Sequence, residues 1–255
     1  MKIEEYLDSE GILHTILSLI ESQIKNSLSE DERKRYKNIK ESYYKTPWDS
    51  KINQDYYTTI SELTMNNVPL IVLLTGEFRS EIEQTAPIVL SHIKDDRLIL
   101  DVGASFGYKT KFYGLNVEGR IIGLDINKAV LNLANQRRKE NMAYVRGNMF
   151  SLPFRDSLFD SVLFCNTIQE DGVYHCGYYG NSWYDYLNGE KIKELSRVVR
   201  PNGRLIVGHK GYDDFPQEVI ETMESCGIKV VKSYEVDYKI NDEEIKNHVV
   251  IGIKN

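Results

Sequence analysis

Two strand ends carry the residues with the plainest chemical purpose. The first is Asp101-Val102-Gly103-Ala104-Ser105-Phe106-Gly107, which continues an apolar run from Leu98. The second is Ile122-Gly123-Leu124-Asp125-Ile126. Gly103 and Gly107 permit positive φ and close approach of main chain to a ligand. Asp101 sets a carboxylate beside them, and Asp125 offers two acceptor oxygens that suit the paired hydroxyls of a ribose. In open α/β sheets ligands bind beyond the carboxyl ends of the strands. Both segments fall there, and together they point to a nucleoside-containing ligand.

These ends need elements to carry them. From about residue 97 short apolar runs alternate with helical patterns. Strands are predicted over 98–102, 121–124, 142–145, 159–164, 204–207, 228–236 and 248–253, with helices over 129–139, 192–199 and 216–226. Gly227 ends the last helix as a C′ glycine, and an acidic turn, Asn241–Glu244, separates the last two strands. Apolar strands without alternation, separated by helices, imply a parallel sheet covered on both faces. The expected fold is a doubly wound α/β domain with a seven-stranded, mostly parallel sheet.

The N-terminal part reads differently. Ile12, Leu13, Ile16, Leu17, Ile20, Ile24 and Leu28 recur at helical spacing. A polar run over 29–45 follows, then a turn at Thr46-Pro47-Trp48-Asp49, and Tyr56, Tyr57, Ile60 and Leu63 resume the helical spacing. Phe78, Ile82, Ala86 and Ile88–Leu90 predict another helix, which Pro87 either kinks or restarts. Two parts are therefore expected: a helical extension or cap over 1–90 and the sheet domain over 91–255.

Composition bounds the function. The 255 residues, 41% apolar with 17 Tyr counted and 17 Gly not, exclude a disordered tail and a disulfide miniprotein. A net charge of −6 argues against a basic coat for nucleic acid. The acid excess sits in residues 1–90, with 10 basic and 15 acidic side chains, against 22 and 23 in the rest. The basic run Arg33–Lys40 is flanked by Glu30, Asp31, Glu32 and Glu41, which reads as a solvated helix face. Cys165, Cys176 and Cys226 form no CxxC pair, so neither a disulfide framework nor a zinc knuckle is signalled. His175, Cys176, His209 and Cys165 include no local ligand pair, and no metal site is predicted. The apolar run Val68–Leu74 is far short of the ~20 residues of a membrane span. Met1–Leu7, with Glu4 and Glu5, lacks the basic start of a signal peptide. The expectation is a soluble cytoplasmic protein.

Spacing narrows the ligand. A dinucleotide site asks for G-x-G-x-x-G, but those positions hold Gly103, Ser105 and Tyr108, and Tyr108 would crowd a diphosphate. This disfavours an NAD-dependent oxidoreductase. The alternative, acidic-x-G-x-G-x-G, is met by Asp101, Gly103, Ser105 and Gly107, with Ser in place of the middle glycine. It resembles the first motif of class I S-adenosylmethionine-dependent methyltransferases. The resemblance continues in family order. Ile122–Ile126 is similar to the ribose-binding strand end. Arg146-Gly147-Asn148-Met149 with Leu152-Pro153-Phe154 resembles the adenine-side segment. Phe159–Phe164 is similar to the F-D-x-V strand, and LSRVVRPNGRLIV over Leu195–Val207 resembles the helix–turn–strand L-x-R-V-L-K-P-G-G-x-L.

The resemblance implies roles. Asp101 and the Gly103, Ala104, Ser105 and Gly107 main chain would face the methionine part of the cofactor. Asp125 would hold the ribose hydroxyls, with Ile126 on the adenine face. Asn148 and the Met149 amide would read the adenine edge, and Asn166 would lie near the methionine amino group. The implied reaction is in-line methyl transfer from S-adenosylmethionine to a small acceptor, with S-adenosylhomocysteine as product.

Because the sulfonium is already activated, positioning and desolvation can supply most of the catalysis. A base is needed only where the nucleophile must lose a proton. The acceptor should approach from the loops after the fourth and fifth strands, where His175, Tyr178 and His209 are the candidate catalytic residues. No N/D-P-P-Y/F tetrad stands at Asn166, so the common exocyclic-amine nucleic-acid pattern is missing. RNA or protein methylation, with the extension as recognition module, and a catalytically silent cofactor-binding protein are the competing readings.

Overall fold

The structure, a computed structural model, describes residues 28–45, 50–64, 78–165, 189–210, 215–240 and 243–255, with Lys2 and Glu5. The chain divides by compactness between Glu83 and Gln84. The apolar stripe expected over 12–28, apart from Leu28, and the turn at 46–49 lie outside the described residues.

In the N-terminal unit, α1 spans Glu30–Lys45 and α2 spans Ser50–Thr64. Ser29 and Glu32 start α1 with a reciprocal cap. The Ser29 N–H donates to Glu32 Oε2 at 2.7 Å, and the Glu32 N–H donates to Ser29 Oγ at 3.3 Å. Glu30, Asp31 and Glu32 place negative charge in the first turn, where the helix dipole favours it. Lys34, Arg35 and Lys37 are exposed, so the basic run is a solvated face of α1. In α2, Tyr56 and Ile60 are buried, as their spacing requires.

Helix α3, Phe78–Ile93, runs through Pro87 without interruption. Ala86, Val89 and Ile93 form its buried stripe, while Pro87 is exposed. The strands are β1 (Leu98–Val102), β2 (Arg120–Asp125), β3 (Met142–Arg146), β4 (Phe159–Cys165), β5 (Val199–Lys210), β6 (Ile228–Ile240) and β7 (Glu243–Lys254). They form one seven-stranded sheet in the order β3-β2-β1-β4-β5-β7-β6. Only β7 runs antiparallel to its neighbours. The short step from Ile240 to Glu243 makes β6 and β7 a hairpin, which forces that reversal.

Four further helices accompany these strands among the described residues: α4 (Tyr108–Gly114), α5 (Lys128–Gln136), α6 (Gly189–Val198) and α7 (Phe215–Ser225). On one face of the sheet, Leu100, Val162, Phe164, Leu205, Val207 and Val250 pack with Ile192 and Leu195 of α6 and with Val219 and Met223 of α7. Every residue of β4 is buried, which explains its lack of alternation. Gly227 takes φ 79° just past α7, the left-handed C′ conformation its position predicts. Asn202 takes φ 60° in the turn within β5, where it replaces a glycine.

At the amino edge, Asp160 Oδ2 accepts from the Arg97 and Leu98 N–H groups at 2.9 and 2.7 Å, while Oδ1 pairs with Arg200. This ties the start of β1 to β4 and leaves the carboxyl edge for function. Helix α4 was not evident from hydrophobic period. Its seven residues are too few to show one, and six of them are buried.

Candidate functional site

The loop after β1 is stitched onto the end of β2. The Gly103 and Ala104 N–H groups both donate to the Leu124 carbonyl, at 2.8 and 2.9 Å. Gly103, Ser105 and Gly107 take φ of 77°, 48° and 78°. Three left-handed residues at alternate positions turn the main chain into a cradle. Ser105 occupies a conformation that costs a side-chain-bearing residue about 1–2 kcal/mol. Its N–H compensates in part by donating to Asp125 Oδ2 at 2.9 Å. Gly107 is required sterically as well. A Cβ there would collide with the Tyr144 hydroxyl, and would lie 2.8 Å from the Ala134 methyl. Tyr144 donates to the Gly107 carbonyl at 3.2 Å and so braces the loop from β3.

Charge is concentrated at this edge. Asp125 Oδ1 accepts from the Asn127 N–H at 2.9 Å, so both carboxylate oxygens are held by main-chain donors. Burial pushes its pKa up, and the N–H groups of Asn127, Ser105 and Ile126 oppose that rise. Asp101 lies beneath the loop, 1% exposed, and accepts from Thr110 Oγ1 at 2.6 Å. Burial raises its pKa, opposed by the Lys109 ammonium and the Thr110 hydroxyl. Lys109 is itself buried, and its Nζ donates to the carbonyl of Cys165 at the end of β4.

The segment expected on the adenine side is built from β2, β3 and α6. Ile126 is 60% exposed, an apolar face left open directly after Asp125. Arg146 Nε donates to its carbonyl at 3.0 Å. Asn148 Oδ1 accepts from the Phe150 N–H at 2.9 Å, forming a local turn, while the Asn148 residue as a whole is exposed. Met149 packs its side chain toward the core. The following residues are pinned from α6. The Leu152 N–H donates to Glu194 Oε1 at 2.7 Å, and Arg197 donates to the carbonyls of Phe154 and Leu152 and to Asp156.

Asn166, His175 and Tyr178 lie outside the described residues. His209 stands in β5 with its main chain opposite His248, and Lys210 stands opposite Asn247. Sequence reasoning missed Lys109, Tyr144, Arg137 and Arg197. Arg137 donates to the Phe106 carbonyl, and its guanidinium lies 4.1 Å from the centre of the Tyr108 ring. Of these four, only Arg197 had a signal, as the arginine of LSRVV. Among the described residues no group of three or more His, Cys, Asp or Glu is placed to hold a metal. No helix among them is long and apolar enough to cross a membrane.

The chain thus contains a doubly wound α/β domain with a glycine-bearing loop and the Asp125 carboxylate joined at the carboxyl edge of its sheet. Residues 100–175 match the family described as a methyltransferase domain. A demethylmenaquinone methyltransferase of Lactococcus lactis is 32% identical over 102 residues, 38% of this chain and 35% of that protein. The chain spans about a third to a half of the length of the first curated relatives it matches. A solved S-adenosylmethionine-dependent methyltransferase from Methanosarcina mazei superposes with TM-score 0.50 at 19% identity, over 66% of this chain and 97% of that one. The [4+2]-cyclase SpnF superposes with TM-score 0.53 at 12% identity, over 70% and 84%. These two likenesses are of fold.

Proposed function

We propose that the protein transfers the methyl group of S-adenosylmethionine to a small-molecule acceptor by in-line displacement. The observation that carries this is the Gly103–Gly107 cradle bonded through Ser105 to Asp125, beside the exposed Ile126. The bound cofactor supplies an activated sulfonium leaving group. Asp125 holds the two ribose hydroxyls. Ile126 covers one adenine face. Asn148 presents its exposed amide to the adenine edge beside the Met149 N–H, and Asn166 lies by the methionine amino group. Residues 91–255 bind the cofactor, and the helices of residues 1–90 contribute to acceptor recognition.

The demethylmenaquinone methyltransferase relative supports an electron-rich ring as the first acceptor class to test. Where the acceptor must lose a proton, His175, Tyr178 and His209 are the proposed bases. A fold shared with a [4+2]-cyclase does not by itself set the reaction. Calorimetry with S-adenosylmethionine, S-adenosylhomocysteine and NAD, on wild type and Asp125→Ala, tests the cofactor. Wild type should bind the first two and ignore the third, and the variant should bind at least about 100-fold more weakly. Absence of binding to the first two overturns the reading. Transfer of labelled methyl to demethylated quinols tests the reaction.

A further inference from the structure

Asn247 is fully buried in β7, and among the described residues neither its amide nitrogen nor its amide oxygen has a hydrogen-bond partner. An unpaired end of a buried amide is costly, and folded proteins pair nearly all such groups. The next side chains on the same face of the strand, Val249 and Ile251, are buried and apolar. A position that only had to extend that face would take another valine or isoleucine. The amide is therefore suited to a partner that the described chain does not supply.

Strand register shows where this amide lies. Asp101 pairs with Gly123 on one side and with Leu163 on the other, so Asp125, Gly103 and Cys165 stand at one level two residues further on. Cys165 pairs with Gly208, which in turn pairs with Val249. Lys210, the last residue of β5, pairs with Asn247. Asn247 thus stands two strands across from the end of β4 and two residues further toward the carboxyl edge, about 10 Å sideways and about 7 Å outward. It lies on the side of the Gly103–Gly107 loop away from Asp125. A cofactor whose ribose is held at Asp125 turns its reacting end toward β4, and an acceptor then approaches from the side of β5 and β7.

We propose that Asn247 hydrogen-bonds a ring oxygen of the methyl acceptor, so that the site selects uncharged aromatic compounds bearing a hydroxyl or a carbonyl. An amide carries no charge and offers both N–H donors and a carbonyl acceptor, which complements either oxygen. The apolar side chains that follow it on the same face suit a ring rather than an ion. Asn247 is a positioning residue: it holds the acceptor's far end and takes no proton from it. This inference rests on the methyl-transfer reading of the site.

The test titrates 2-naphthol and naphthalene, which differ only in the hydroxyl, into protein saturated with S-adenosylhomocysteine. Wild type should bind naphthol roughly tenfold more tightly than naphthalene, as one buried hydrogen bond predicts. In Asn247→Val that preference should vanish through weaker naphthol binding, with affinity for S-adenosylhomocysteine unchanged. Binding of neither probe by wild type, equal wild-type affinities, or a preference that survives in Asn247→Val overturns the proposal. A second measurement needs only the native chain. The side-chain amide resonances of Asn247 should shift with naphthol and stay in place with naphthalene, and resonances unmoved by naphthol overturn the proposal. Failure of wild type to bind S-adenosylhomocysteine would instead sink the methyl-transfer reading beneath it.

Discussion

The main-chain N–H of Ser105 donates to Oδ2 of Asp125 at 2.9 Å. A left-handed residue in the loop after β1 is thereby bonded to the carboxylate that ends β2. The cradle and the proposed ribose site are one mechanical unit, and disturbing either residue should be felt at both.

The first expectation concerns pH. Burial raises the Asp125 pKa above the ordinary carboxylate value. Accepting two ribose hydroxyls requires the ionised form, and the protonated fraction grows as pH falls through the raised pKa. Affinity for S-adenosylhomocysteine should therefore weaken at a pH above the ordinary carboxylate range, by roughly tenfold per unit below that pKa. Calorimetry across acidic and neutral pH checks this, and a profile flat down to the ordinary carboxylate range contradicts it. Stability has the opposite sign. A carboxyl whose pKa is raised on folding contributes stability that is full below its unfolded pKa. That contribution is lost as pH rises through the folded one.

Ser105→Gly should keep the loop and remove the left-handed cost. A gain of about 0.5–1 kcal/mol in urea unfolding is expected, because greater unfolded-state freedom offsets part of the relief. Affinity for S-adenosylhomocysteine should be unchanged, since the bond to Asp125 comes from the main chain. A clear loss of affinity would show that the Ser105 side chain itself touches the ligand.

Gly107→Ala should destabilise the domain by about 2–4 kcal/mol, combining positive φ with a clash against the Tyr144 ring, its hydroxyl and the Ala134 methyl. Adding Tyr144→Phe removes the hydroxyl and should recover about 1 kcal/mol of that loss. Strict additivity of the two substitutions in thermal unfolding would refute the steric account.

Arg197 joins α6 to the Leu152–Asp156 segment through Glu194, Asp156 and two carbonyls. Arg197→Met should cost about 2–4 kcal/mol of stability. It should also weaken S-adenosylhomocysteine binding, by displacing Asn148–Phe154. Arg197→Lys should not restore either property, because an ammonium cannot fork to acceptors on several sides. Full rescue by Lys would mean that charge alone matters.

The sheet was legible because its strands advertise themselves. Burial on both faces demands apolar runs such as Leu98–Val102 and Phe159–Phe164, and Gly227 and Asn202 mark the turns where φ must be positive. Sequence also located the strand-end motif, since Gly103 and Gly107 sit where the main chain must bend and Asp125 where β2 ends, but Asp101, expected to face the ligand, is 1% exposed and bonded to Thr110 beneath the loop. Helix α4 was hidden by its brevity and near-complete burial, and Lys109 by its type, because a lysine in a sequence reads as surface.

What the tertiary structure alone decided is which of these residues meet. A hydrogen bond joins Ser105, in the loop after β1, to Asp125 at the end of β2, and Lys109 reaches the end of β4, 56 positions away in sequence. Tyr144 closes over Gly107 from a third strand. Local propensity and hydrophobic period act over a few residues, so they specify strands, helices and turns. The order β3-β2-β1-β4-β5-β7-β6 is non-local, and only that order and its register set Asp125, Gly103 and Cys165 at one level.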